Sequence, residues 1–143
     1  METVYYSFSY TMLDALSKGE TVGERIAYHR KRKKLSQQQL ADLAGVSVCT
    51  IKRMENYKCE SNFSTYHKVV TALQVNPDLI YDDYFKFITS DYSQWLKSFR
   101  YKHKLTQMHL SELLHVHVKT VMRWEQKELI PNRKHYQLIQ QLR

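Results

Sequence analysis

Two arginines seventy residues apart, Arg53 and Arg123, each stand two positions before a glutamate, Glu55 and Glu125. A guanidinium presents a rigid planar fork of N–H donors, so it suits flat double acceptors: a carboxylate, a phosphate, or the edge of a planar heterocycle. The surroundings repeat as well. Leu35–Asn56 laid over Leu105–Gln126 without a gap pairs Leu35/Leu105, Gln37/Gln107, Leu40/Leu110, Leu43/Leu113, Val46/Val116, Val48/Val118, Thr50/Thr120, Arg53/Arg123 and Glu55/Glu125, nine identities in twenty-two positions. An internal repeat of this length implies one structural unit built twice.

Other chemistries find little support. His109, His115 and His117 crowd one stretch but have no carboxylate or cysteine partner at ligand spacing, so no metal site is expected. Cys49 and Cys59 show no CxxC spacing and follow no signal peptide, which predicts neither a disulfide framework nor a cysteine zinc site and fits the reducing cytoplasm. Paired carboxylates, a nucleophile elbow and a phosphate loop are missing from the sequence, so it reads as a non-enzyme with no cofactor and no small-molecule ligand. No apolar run approaches the roughly 20 residues a membrane helix needs.

The elements that hold these residues are helices. Glycine occurs three times and proline twice, and apolar residues recur at three- and four-residue steps, a helical and not a strand period. Thr21 to Glu24 and Ser36 to Gln39 have the form of capping boxes, with Asp91 to Gln94 a looser version and Thr106 a further cap. These starts predict first helices over 22–33 and 92–103 and second helices over 37–44 and 107–114. Gly45 suits a sharp turn, and Ser47 then caps a third helix over 48–56; in the second copy the turn residue is His115, a tolerable but strained replacement. Fourth helices are marked by Tyr66, Val69, Val70 and Leu73 and by His135, Leu138, Ile139 and Leu142, an offset of 69 that implies a loop one residue shorter in the second copy. A short fifth helix is expected near 77–81 in the first copy only. The organisation is therefore an all-α chain: an N-terminal aromatic extension (1–20), a first domain of about five helices (21–83), a packed connector (84–91) and a second domain of about four helices (92–143).

Charge follows the repeats. Residues 21–63 carry nine basic against four acidic groups and 92–143 ten against three, while 1–20 and 64–91 each carry a net −2. A positive excess confined to the repeated modules is the footprint of a polyanionic partner.

A helix, a tight turn at Gly45 and a second helix opening with small or polar residues together describe a helix-turn-helix. With Gln37 opening the second helix, Ala41 at the helix contact, Val46 and Ile51 in the core and Glu55-Asn56 closing the third helix, the first copy resembles the Xre family, the lambda-repressor-like and Cro-like domains of bacteria and their phages. The second copy resembles it less closely, with Ser111, His115 and Gln126 at the matching places. The resemblance implies a core of Leu40, Leu43, Val46 and Ile51, repeated as Leu110, Leu113, Val116 and Val121, with Trp124 core-facing in the slot of Met54. It implies structural ion pairs Arg30–Glu55 and Arg100–Glu125, and DNA contacts at Gln37, Ser47, Val48, Cys49, Lys52, Arg53 and Lys58 and at Gln107, His117, Val118, Lys119, Met122 and Arg123. The run Arg30 to Lys34 adds positive charge nearby. The implied protein is a cytoplasmic, sequence-specific regulator, a repressor, binding double-stranded DNA, with a homodimer as one form it can take. The competing implication, motivated by the altered second copy, is an interaction module such as an antitoxin or antirepressor-like partner in which one repeat binds protein.

Overall fold

The computed structural model describes residues 19, 21–56 and 62–143. The N-terminal extension apart from Gly19, together with Lys58 and Cys59, lies outside the described residues. Among the described residues the chain is all-α, with no strand. It divides into two compact units between Asp82 and Asp83.

In the first unit, α1 (Val22–Arg32), α2 (Gln37–Ala44), α3 (Val48–Glu55) and α4 (Phe63–Leu73) each begin at a side-chain cap. Thr21 and Glu24 form a reciprocal capping box, as do Ser36 and Gln39, and each box satisfies two backbone donors that a helix start leaves without partners. The expected fifth helix near 77–81 is instead one 3-10 turn, Pro77–Leu79. Ile80 and Tyr81 both donate back to the Pro77 carbonyl, and their own carbonyls accept from Arg25 Nη1 at 3.2 Å each. A side chain of α1 thus takes the acceptors that a longer helix would have used. Ile26, Leu40, Ile51, Met54, Val69, Leu73 and Ile80 fill the core.

The second unit contains α5 (Asp83–Thr89), α6 (Tyr92–Lys102), α7 (Gln107–Leu113), α8 (Val118–Glu125) and α9 (Arg133–Gln141). Residues 84–90, read from sequence as a connector, thus lie mainly in α5, and this unit has five helices where four were expected. The reason is aromatic: α5 buries Phe85, Phe87 and Ile88, and the Phe87 ring meets those of Tyr92, Trp95 and Tyr136 at 5.2–6.0 Å. Leu96, Leu110, Leu114, Val121, Trp124 and Ile139 make the rest of the core. Trp124 and Met54, in matching slots, are both buried.

Two further sequence expectations need correction. Leu43 and Leu113 are not core residues: they are 63% and 49% exposed. Successive helix positions rotate by about 100°, so the inward face of α2 set by Leu40, Ala41 and Ala44 leaves Leu43 on its flank. The second unit buries the next residue, Leu114, in the place of Ala44. The fourth-helix offset is also corrected. Asn62 caps α4 through Thr65 N–H at 3.0 Å and Asn132 caps α9 through His135 N–H at 2.8 Å, so the two helices start seventy residues apart and the preceding loops have equal length. Burial follows the same seventy-residue offset, with Val69 and Ile139 both fully buried, so the second copy has no shorter loop.

Candidate nucleic-acid interface

Each unit fixes the third helix of its repeat, α3 in the first and α8 in the second, with the same three side chains. In the first, Arg30 on α1 grips the Glu55 carboxylate with two hydrogen bonds, Nε to Oε1 at 2.6 Å and Nη2 to Oε2 at 2.9 Å. Gln37, at the start of α2, donates to Glu55 Oε2 at 2.8 Å, and Arg30 Nη1 donates to the Leu35 carbonyl at 2.8 Å. In the second, Arg100 grips Glu125 at 2.9 and 3.3 Å, Gln107 donates to Glu125 Oε2 at 2.8 Å, and Arg100 Nη1 reaches the Leu105 carbonyl at 3.2 Å. The carboxylates are nearly buried, at 6% and 3% side-chain exposure, and the donors around them offset the loss of water. Glu125 holds the Arg100 guanidinium above its ordinary pKa against the opposing effect of burial. One glutamate at the end of the third helix thus ties together all three helices of its motif.

With one face held this way, the opposite face is left outward. On α3, Ile51 and Met54 are buried, Val48 is half-buried, and Cys49, Lys52 and Arg53 are exposed. On α8, Val121, Trp124 and Glu125 are buried, Val118 is half-buried, and Lys119, Met122 and Arg123 are exposed. The pattern of burial is the same, residue for residue, over 31–41 and 101–111. Lys31, Arg32, Lys33 and Lys34 are exposed beside the first motif, and Lys102 and Lys104 beside the second. Arg30 is an exception in its basic run, because its charge is spent on Glu55. Gln37 and Gln107, expected at a phosphate, have their side-chain nitrogens committed to the glutamates, which leaves the N-terminal backbone donors of α2 and α7 as the groups there suited to an anion.

The turns match in conformation but not in chemistry. Gly45 has φ 67° and His115 φ 53°, both left-handed. Ser47 caps α3 by accepting from Thr50 N–H at 3.1 Å, whereas His117 caps α8 through Nδ1, accepting from Lys119 N–H at 3.1 Å, which requires that nitrogen to be unprotonated. Ser47 and His117, expected at the interface, therefore also build the helix starts. Lys34 and Lys104 close the preceding turns at φ 56° and 54°; the sequence reading gave them positive charge alone and missed this turn role, although lysines at one fixed offset were a visible signal. Also missed was Glu128, whose Oε2 lies 3.7 Å from Arg123 Nε, an exposed pair. Cys49 is an exposed free thiol, and the described residues contain no cluster of His, Cys, Asp or Glu that could hold a metal.

Residues 26–80 match the helix-turn-helix family model. The matched stretch takes in α2, α3 and α4 whole, along with Arg30, Gln37 and Glu55, so the Arg–Glu–Gln clamp of the first unit lies within the part of the chain that is similar to that family. The match covers one copy, and the second unit lies outside it. No curated protein and no solved structure matches the chain. No helix among the described residues is long and apolar enough to cross a membrane.

Proposed function

We propose that this protein is a sequence-specific regulator of transcription, a repressor by occupancy, that binds double-stranded DNA through both units, with α3 and α8 each lying in a major groove. The observation that carries this reading is the repeated clamp: the same Arg–Glu–Gln geometry, seventy residues apart, holds each third helix with its outward face open. An α-helix fits the major groove of B-DNA, and Arg53 and Arg123 can offer two hydrogen bonds to guanine O6 and N7. Val48, Cys49 and Lys52, and Val118, Lys119 and Met122, share those faces. Lys31 to Lys34, Lys102 and Lys104 supply phosphate contacts, and Gln37 and Gln107 orient the helix starts beside a phosphate. Two readers in one chain make the second engagement intramolecular, which raises its effective concentration without new contacts.

Selection of bound sequences from a random duplex pool, followed by a gel shift on the winner, tests the proposal. We expect a defined site and an affinity that falls steeply with salt, because neutralised phosphates release counterions. An affinity indifferent to salt, or a pool with no winner, favours the second reading, in which α8 and its neighbours bind protein. That reading draws on the exposed Met108, Leu113 and Met122 of the second unit.

A further inference from the structure

The two outward faces differ in chemistry at matched slots. Gln38 of α2 corresponds to Met108 of α7, and Lys52 of α3 to Met122 of α8. Both methionines are exposed, Met108 at 52% and Met122 at 38%, and Met122 shares α8 with the buried Val121, Trp124 and Glu125. The arginines differ too. Arg123 faces the Glu128 carboxylate at 3.7 Å, and at the place of Glu128 the first copy has the opposite charge, Lys58. A carboxylate beside a guanidinium competes for its donors and repels nearby phosphates, so Arg123 is a weaker reader of guanine than Arg53.

Resting on the DNA-reading assignment above, we infer that α8 selects thymine-bearing base pairs by methyl contact, through Met122 with Val118 beside it, while α3 selects through Lys52 and Arg53. The thymine 5-methyl is the one apolar group that base edges present in the major groove. Methionine is flexible and polarizable, which suits a small apolar target at the end of a reach. Lys119 and Arg123 flank Met122 on the same exposed face, and these cations make a duplex, not an apolar protein surface, its fitting partner. The target site is therefore asymmetric, with a thymine-selective part assigned to the second unit.

Uracil differs from thymine by that methyl alone, so single thymine-to-uracil replacements in the selected duplex test the inference. Positions belonging to α8 are first identified as those where Met122→Ala relaxes the sequence preference. There, uracil is expected to weaken the wild-type protein about fourfold per methyl lost, and to leave Met122→Ala and Met122→Lys unchanged. Uracil at positions whose preference depends on Arg53 is expected to have no effect. A selected duplex that the wild type binds equally well with uracil at every position overturns this inference alone, as does a loss that persists undiminished in Met122→Ala. A selection that returns no duplex overturns the DNA-reading assignment itself, and this inference with it.

Discussion

Gly23 in the first unit and Ser93 in the second occupy one slot of the repeat, and they meet the third helix in different ways. A Cβ at Gly23 would stand 2.0 Å from the Met54 carbonyl oxygen, so there the backbone of α1 lies directly against the end of α3. Ser93 is buried and donates through Oγ to the Glu125 carbonyl at 2.8 Å, a bolt where the first unit has bare contact. Other slots of the repeat differ as well: Met54 becomes the larger Trp124, Ala44 becomes Leu114, and Gly45 becomes His115. What stays fixed is the clamp of Arg, Gln and Glu. The polar contacts that set the geometry of α3 and α8 thus stay fixed while the side chains around them change size.

Breaking the shared clamp should have the largest effect. Glu55→Ala or Glu125→Ala strands a nearly buried guanidinium and a glutamine, and each is expected to cost about 3–5 kcal/mol. Both tryptophans, Trp95 and Trp124, lie in the second unit, so tryptophan fluorescence in urea reports that unit while circular dichroism reports both. A loss below about 1 kcal/mol in either variant would show that the clamp does not hold its helix.

The slot that differs is the next lever. Gly23→Ala is expected to destabilise by about 1–3 kcal/mol through overpacking, whereas Ser93→Ala should cost about 0.5–1.5 kcal/mol for one lost buried hydrogen bond. Equal costs would contradict the two modes of contact. On DNA, Arg53→Ala is expected to cost about 1–3 kcal/mol with relaxed preference at its own base pairs, and Arg123→Ala less, because Glu128 shares its guanidinium. The turns sharpen the contrast further. Gly45 has open space where a Cβ would be, so Gly45→Ala should cost about 1 kcal/mol from its left-handed backbone alone, and His115→Gly should leave the second unit equally stable or more so.

The smallest expected effect is on pH. Burial, aided by the charge of Lys134, holds the His135 pKa below its ordinary 6.5. The unfolded chain therefore binds more protons than the folded one between the two values, and stability is full above about pH 6.5 and declines as pH falls below it. The Trp124 ring stacks edge-on against His135 at 5.1 Å, so fluorescence-detected unfolding of the second unit should show this slope. His135→Phe should flatten it; a slope unchanged in that variant would assign it to other groups.

Much of this was legible in the residues themselves. Helix starts are local events: Thr21, Ser36, Ser47 and Thr106 cap helices because a hydroxyl three positions before a backbone N–H can reach it whatever surrounds it. The left-handed turns at Gly45 and His115 are local in the same sense, and the seventy-residue spacing carried the repeat. Tertiary structure decided what depends on partners far along the chain. Whether Leu43 or its neighbours face inward is set by the rotation of α2 against α4, and a helix offers several contiguous apolar positions among which only packing chooses. The packing of α5 depends on Phe87 meeting Tyr136, a ring some fifty residues away. That Gln37 and Gln107 each donate at 2.8 Å to a glutamate, Glu55 on α3 and Glu125 on α8, was likewise decided by the fold. Local hydrogen bonds are written in neighbouring letters; the assignment of a long polar side chain to one partner among several is an outcome of where the helices come to rest.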